Sequence, residues 1–513
     1  MKLNHLAIGV ATAVFLTACG GGSNSSNDDA TNGLTTSGEL NLDNVRSLLD
    51  TNADIALAAY NDSVATAEEL QDALASFRAD PSEANLEAAK KAWLVAREPY
   101  GQTEVYRFRL SPIDSTDYDS EDGLEGDINA WPLGEALIDY VQVNTSDFGD
   151  DQIGVTANGA GVNGGGAVDS ENFDDTSPKT NIIGNTSIVI DQDLLSNTAT
   201  ADDEHDVIAG YHAIEFLLWG QDLNDSAGTT DGTDRDEAVK TEGASNYAAG
   251  GDRPLGDFIP SYDADTASGN DDVDASYDSS VESHRRHKYL EVAVEKLIAD
   301  LKSVRDGWVE GATYRTAFTT ISSQAEAREK LAEILTGMGT LSEGELAGER
   351  MQIAFSGNSQ EDEHSCFSDN THRDIWLNAE GVSNSYYGTY AGYDSTLDGT
   401  DNETASAVNG YGFDDLLASM GELQLKSQIE TALSTTAAYY TEIDTAARNG
   451  SPFDVQIMAE NRTSDSSVAK TIVALNAQSK IIANIAEALD ISGSVVDEEA
   501  SGCDTESPTE SCD

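Results

Sequence analysis

The stretch 202–220, DDEHDVIAGYHAIEFLLWG, limits the fold more than any other part of the chain. Its spacing predicts one helix of about 17 residues, with Asp202 or Asp203 as N-cap and Gly220 as the C-terminal stop. Apolar side chains run almost all the way round it: Val207, Ile208, Tyr211, Ile214, Phe216, Leu217, Leu218 and Trp219. A helix apolar on every face is a buried helix. Within it stand His212 and Glu215, three residues apart and therefore on one face. They continue a stripe that begins at Ile208 and ends at Trp219. An imidazole and a carboxylate inside an apolar helix are costly unless they pair with each other or bind something.

The rest of the chain supplies helices to pack around it. Residues 41–79 carry Leu42, Val45, Leu48, Tyr60, Val64, Leu70, Leu74 and Phe77 at three-and-four spacing, the helical period. Pro81 interrupts, and a second helix runs from Leu86 to Phe108, with a kink expected at Pro99. The segment 131–141, WPLGEALIDYV, reads as a short helix with Pro132 in its first turn. Leu290, Val294, Leu297, Leu301 and Val304 repeat at bundle spacing, as do Leu331, Leu335, Met338 and Leu341. Two further helices are expected over 413–447 and 466–490. Strand-like alternation is nearly absent. The fold class expected is all-α: two four-helix-bundle-like domains carrying long acidic loop insertions at 142–202 and 221–280. The domains are placed at 39–280 and 281–495, with an acidic, disordered tail over 496–513.

Composition bears on partners. Asp and Glu number 93 against 28 Lys and Arg, a formal charge of −65. A surface of that sign excludes nucleic-acid binding and suits salty surroundings or attraction of cations. At the N-terminus a short positive region and an apolar run, too short to span a bilayer once mature, lead to Leu16-Thr17-Ala18-Cys19. This looks like a bacterial lipobox, which makes 1–18 a signal peptide and Cys19 the lipidated residue. The Gly, Ser and Asn-rich run 19–38 is then a flexible spacer. By resemblance to bacterial lipoproteins, Gly20 favours the outer membrane, with the body facing periplasm or surface. Cys503 and Cys512 are spaced to close a small loop in an oxidising envelope. Cys366 is left as a free thiol or as a partner for a tail cysteine.

For chemistry, His212 and Glu215 come first. Two ligands three apart on a helix are how bundle proteins present metals, and imidazole with carboxylate suits iron, zinc, copper or manganese. The competing reading is a buried His–Glu pair. Glu98 and Glu135 are the candidates for completing a site, with Glu104 and Asp139 behind them. A second constellation, 349–374, packs Arg350, Glu361, His364, Asp369 and His372 into one polar segment and is expected to line a cleft; Trp131 is placed there too. His284 and His287, beside Arg285 and Arg286, read as structural. No HExxH, GxSxG or CxxC occurs, so zincin, serine-hydrolase and thiolate-zinc chemistry are unsupported.

At Gly210-Tyr211-His212-Ala213-Ile214-Glu215 the sequence resembles the imelysin family, whose hallmark is GxHxxE. The likeness extends to AKKAWLVAREPYGQTEVYRF (89–108), NAWPLGEALIDYV (129–141), RRHKYL (285–290) and GERMQIAFSGNSQEDEHSCFSDNTHRDIW (348–376). The last is similar to the iron-regulated, IrpA-like branch. The resemblance implies two helical bundles with a site near their interface, an envelope location and a link to bacterial iron uptake. The family also carries a metallopeptidase label. The expectation is an envelope lipoprotein that binds a divalent metal, iron before zinc or copper, or a metal-bearing ligand, and works beside envelope iron-transport components. A metallopeptidase using the same pair, or a non-catalytic scaffold or adhesion protein, are the alternatives.

Overall fold

The structure is a computed structural model that describes residues 39–116, 123–139, 181–196, 207–220, 253–259, 277–360, 362–458, 461–496 and 502–512. The signal, spacer and Cys19, most of the acidic insertions, and Glu361 lie outside the described residues. The described chain from Leu40 onward forms one compact unit, and it is all-α. Its one sheet among the described residues is a two-residue antiparallel pair, Thr389–Tyr390 with Val408–Asn409.

Four helices make the first group: α1 (Leu42–Ala79), α2 (Glu83–Gly101), α3 (Gly210–Trp219) and α4 (Glu282–Trp308). The Asn41 side chain caps α1 by accepting the Asp43 and Asn44 amides, which satisfies donors the helix itself leaves unmet. α1 packs lengthwise on α2 and α4, and α3 lies against α2 and α4. Four more make the second group: α5 (Gln324–Thr340), α6 (Thr371–Tyr387), α7 (Leu423–Arg448) and α8 (Ser467–Ala488). Ser323 and Glu326 form a reciprocal capping box at the start of α5.

The expected boundary between residues 280 and 281 falls just before α4. α4 belongs to the first group, because its buried face (Leu290, Val294, Leu297, Leu301) is covered by α1 and α3. One apolar core, from Val45 and Trp93 through Trp308 to Leu335 and Ile485, is shared by both groups. A smaller core of Leu346, Phe355, Ile375, Ile443 and Ile472 sits inside the second.

Some helix boundaries moved. The 17-residue helix is a 10-residue one beginning at Gly210, and Val207 and Ile208 precede it as buried non-helical chain. α2 stops at Gly101, two residues past Pro99, and a 3-10 turn Glu104–Tyr106 follows. Pro132 lies outside the short helix Glu135–Ile138, after a cis Trp131–Pro132 bond. α5 runs on as a π-helix, Leu341–Gln352, and ends in an α-turn at Gly357. π-helical turns are rare and cluster at functional sites. The tail is not loose: Cys503 and Cys512 are joined by a disulfide. The closed loop docks on the π-helix and α8, where Gln352 Nε2 donates to the carbonyls of Asp504, Ser507 and Glu510 and Asn476 Nδ2 donates to Thr505 Oγ1 at 2.6 Å.

Candidate functional site

The short α3 is positioned by its first residue. Gly210 has φ +79°, and a Cβ there would stand 2.3 Å from the Ile128 carbonyl oxygen. Only glycine combines that backbone with that approach. It brings the loop carrying Asn129 and Trp131 against the face of α3 that bears His212. His212 and Glu215 are both fully buried. They do not converge on an outside point. They touch each other, with His212 Nδ1 2.8 Å from Glu215 Oε2. The other carboxylate oxygen, Oε1, accepts the Ser368 amide at 3.0 Å and its hydroxyl at 2.6 Å. Burial pushes the His212 imidazole well below, and the Glu215 carboxyl well above, their ordinary pKa values, so the imidazole is held neutral. His212 Nε2 has no hydrogen-bond partner among the described residues.

The segment before α6 supplies a second imidazole–carboxylate pair. His364 Nδ1 lies 2.9 Å from Asp374 Oδ2, and Ser365 Oγ also donates to that oxygen. Arg97, from α2, donates to Asp374 Oδ1 at 2.9 Å and holds its carboxyl well below the ordinary range against the cost of burial. Burial, with Arg350 nearby, lowers His364 to about 4. The two imidazoles meet edge to face, centroids 4.7 Å apart at 85°. Trp131 covers His212 at 5.0 Å and Phe367 at 5.4 Å.

Asn129 links the pairs to a buried charge cluster. Its side-chain oxygen accepts from Arg97, and its nitrogen lies 3.3 Å from Glu104 Oε1 and 3.4 Å from His364 Nε2. Arg350 reaches Glu104 at 2.8 Å, Glu345 at 2.9 Å and Asn378 at 2.7 Å. Glu345 and Arg350 are five apart, neighbours on a π-helix and not on an α-helix. Arg107 joins Glu104, Glu125 and Glu345. Arg97, Arg107 and Arg350 thus stand among Glu104, Glu125, Glu345 and Asp374, with Glu215 close by, so carboxyls outnumber guanidiniums.

The other expected residues are placed elsewhere. Both oxygens of Glu98 are taken by Arg373, at 2.9 and 2.8 Å, because α2 and α6 bring these two buried charges face to face. Glu135 is buried in the short helix after Trp131. Asp369, left-handed at φ +59°, offers its carbonyl to His372 Nδ1 at 3.0 Å, and His372 Nε2 lies 3.7 Å from Asp444. Among the described residues no three or more His, Cys, Asp or Glu side chains are grouped to hold a metal ion. The quartet His212, Glu215, Glu98 and Glu135 is therefore not assembled as one ligand set. His287 is structural, its Nε2 3.2 Å from the Phe258 carbonyl, and Arg286 grips Asp139 with two nitrogens. Cys366 is buried. Asn129, Ser368, Asp374 and Arg97 were not singled out from the sequence. All four lie beside or within the segments that carry the family resemblance, and that was the signal available for them.

A double four-helix body with a buried imidazole–carboxylate site opening on GxHxxE defines a class. The chain belongs to the imelysin family: the family model described as Imelysin, peptidase M75, matches residues 56–482. It is similar to Iron-regulated protein A of Synechococcus elongatus, 37% identical over 79 residues, which is 15% of this chain and 20% of that protein. The match thus spans about a fifth of that relative's length. Its fold is that of a crystal structure from Parabacteroides distasonis described as an iron-regulated protein A precursor, with TM-score 0.53, 15% identity, and 88% of this chain and 97% of that one covered. An imelysin-like protein from Psychrobacter arcticus aligns with TM-score 0.49 and 14% identity over 88% of this chain and 97% of its own.

Proposed function

We propose that this protein is an envelope lipoprotein that binds iron or another divalent metal, free or carried on a small ligand, at His212, in the service of iron uptake. The observation that carries the reading is the buried His212 Nε2. It belongs to an imidazole kept neutral by burial, it has no partner among the described residues, and its other nitrogen is fixed by Glu215. A metal-binding histidine needs that arrangement, with its second nitrogen held by a carboxylate. The donor set fits a metal with affinity for nitrogen. The metal would supply Lewis acidity, or serve as cargo; the protein supplies a fixed imidazole in a dry, carboxylate-rich setting.

Supporting the iron connection, a matched relative and a matched structure are named as iron-regulated. The Leu16–Cys19 lipobox-like run supports a lipid anchor in the outer membrane. No helix among the described residues is long and apolar enough to cross a membrane. Metal content of the purified protein, measured beside His212→Gln with folding checked by circular dichroism, tests the reading. The wild type should carry metal and the variant should not. Equal metal in both would end it. A protease assay on the metal-loaded wild type decides the peptidase label separately.

A further inference from the structure

Two neighbouring imidazoles, not one, have their Nδ1 atoms anchored on carboxyl groups. For His364 the tautomer follows from Asn129. Arg97 donates to the Asn129 oxygen, and the Asn129 nitrogen faces the Glu104 carboxylate. The amide therefore turns its N–H toward His364 Nε2. An N–H can only meet a lone pair there, so the His364 proton sits on Nδ1 and is donated to Asp374. For His212, Ser368 donates twice to Glu215 Oε1. With Glu215 ionised, the state a bound cation favours, that leaves Oε2 to accept from Nδ1 and leaves Nε2 with its lone pair bare.

Two imidazoles bound to one tetrahedral ion through metal–nitrogen bonds of about 2.0–2.1 Å hold their centroids roughly 5 Å apart. The His212 and His364 centroids are 4.7 Å apart.

We propose that His364 is the second protein ligand, making a two-imidazole site in which Glu215 and Asp374 are positioning residues that fix the rings and do not bind the ion. The inference rests on the reading that His212 binds metal. It narrows the ligand to a nitrogen-seeking divalent ion such as Zn(II), Cu(II) or Fe(II), and excludes Ca(II) and Mg(II), which require oxygen shells. Because no third side chain of the described residues completes the set, the remaining positions belong to water or to atoms of a ligand carried with the ion. Asn129 gives up its contact with Nε2 when the ion enters, keeping Glu104 and Arg97.

The test is a Zn(II) titration of the metal-free full chain by calorimetry, with X-ray absorption on the loaded protein to count imidazoles. His364→Gln keeps groups that hydrogen-bond Asp374 and Asn129, so it separates ligand loss from misfolding. The wild type should bind one Zn(II) with two imidazoles, unaffected by excess Ca(II). His364→Gln should weaken binding at least as much as Asp374→Asn, which should cost about 10–100-fold, with unchanged circular dichroism. One imidazole in the absorption spectrum, or wild-type affinity in His364→Gln, overturns the second ligand while leaving His212 standing. No Zn(II), Cu(II) or Fe(II) bound by the wild type overturns the metal reading itself and this proposal with it.

Discussion

At the scale of single residues, the site is held by groups that cannot be exchanged without loss. Gly210→Ala forces a Cβ to within 2.3 Å of the Ile128 carbonyl at a left-handed φ, which alone costs about 1–2 kcal/mol. Urea unfolding should show a loss larger than that, and an unchanged midpoint would refute the close approach. Arg97→Ala leaves the Asp374 carboxylate buried without its guanidinium, and removing one partner of a buried pair costs about 3–5 kcal/mol. The same variant also loosens Asn129, so the metal affinity of the site should fall along with stability. A variant as stable as the wild type would show that Asp374 finds another partner. Periodicity revealed that His212 and Glu215 share a buried face, and the structure keeps both buried. It could not reveal whether they would converge on an ion or meet each other. At three residues apart both outcomes are sterically open, and the choice is made by Ser368, some 150 residues away in sequence, which takes the other carboxylate oxygen. The partner of Glu98 is hidden for a similar reason: nothing near it in the chain announces Arg373.

Among elements, the long amphipathic helices were legible because three-and-four spacing is a local property. α1 begins one residue from its expected start, and α8 one residue from its own. The end points that failed depend on contacts between segments. The helix bearing His212 starts at Gly210 because the short helical turn ending at Ile128 crosses there. α5 continues as a π-helix because Glu345 and Arg350 are drawn together toward Glu104 and Arg107. Acidic composition predicts a disordered tail; its docking rests on a nine-residue separation between cysteines and on side chains of the π-helix and α8, Gln352 and Asn476 among them. Gln352 is buried and ties three carbonyls of the closed loop to the π-helix that carries Arg350. Opening the disulfide with a dithiol should therefore release the tail and loosen residues 341–352. Hydrogen exchange should quicken in both segments and stay unchanged in α1 and α4. Gln352→Ala should do the same with the disulfide intact. Identical exchange of 341–352 with the tail free would show that the π-helix holds itself.

For the whole molecule, pH and salt act on two different populations of charge. The buried groups pull in opposite directions. Glu104 is lowered to about 2 by Arg350 and Arg107 despite its burial, so the stability it lends is present above the ordinary carboxylate range and lost as pH falls toward 2. His364 and His287 are lowered to about 4, chiefly by burial. The unfolded chain takes up those protons first, so stability falls as pH drops from about 6.5 to 4. Burial raises Glu125 to about 7 and Glu380 to about 8; their contribution is present at acid pH and is lost as pH rises through those values. Between about 4.5 and 6.5 the two sets oppose each other, and above that range only the loss remains. Stability should therefore peak at mildly acidic pH and decline toward pH 8. The exposed carboxylates of a chain whose formal net charge is −65 at pH 7 add a repulsion that also grows as they ionise. That part is screened by salt, whose Debye length shrinks to about 3 Å at 1 M, whereas the buried groups are out of its reach. Melting curves from pH 4 to 8 at low salt and in 1 M NaCl separate the two. Salt should raise the melting temperature most at the high-pH end, yet the fall between pH 6.5 and 8 should persist. A profile that becomes flat in high salt would assign the whole decline to the surface and deny Glu125 and Glu380 their part in it.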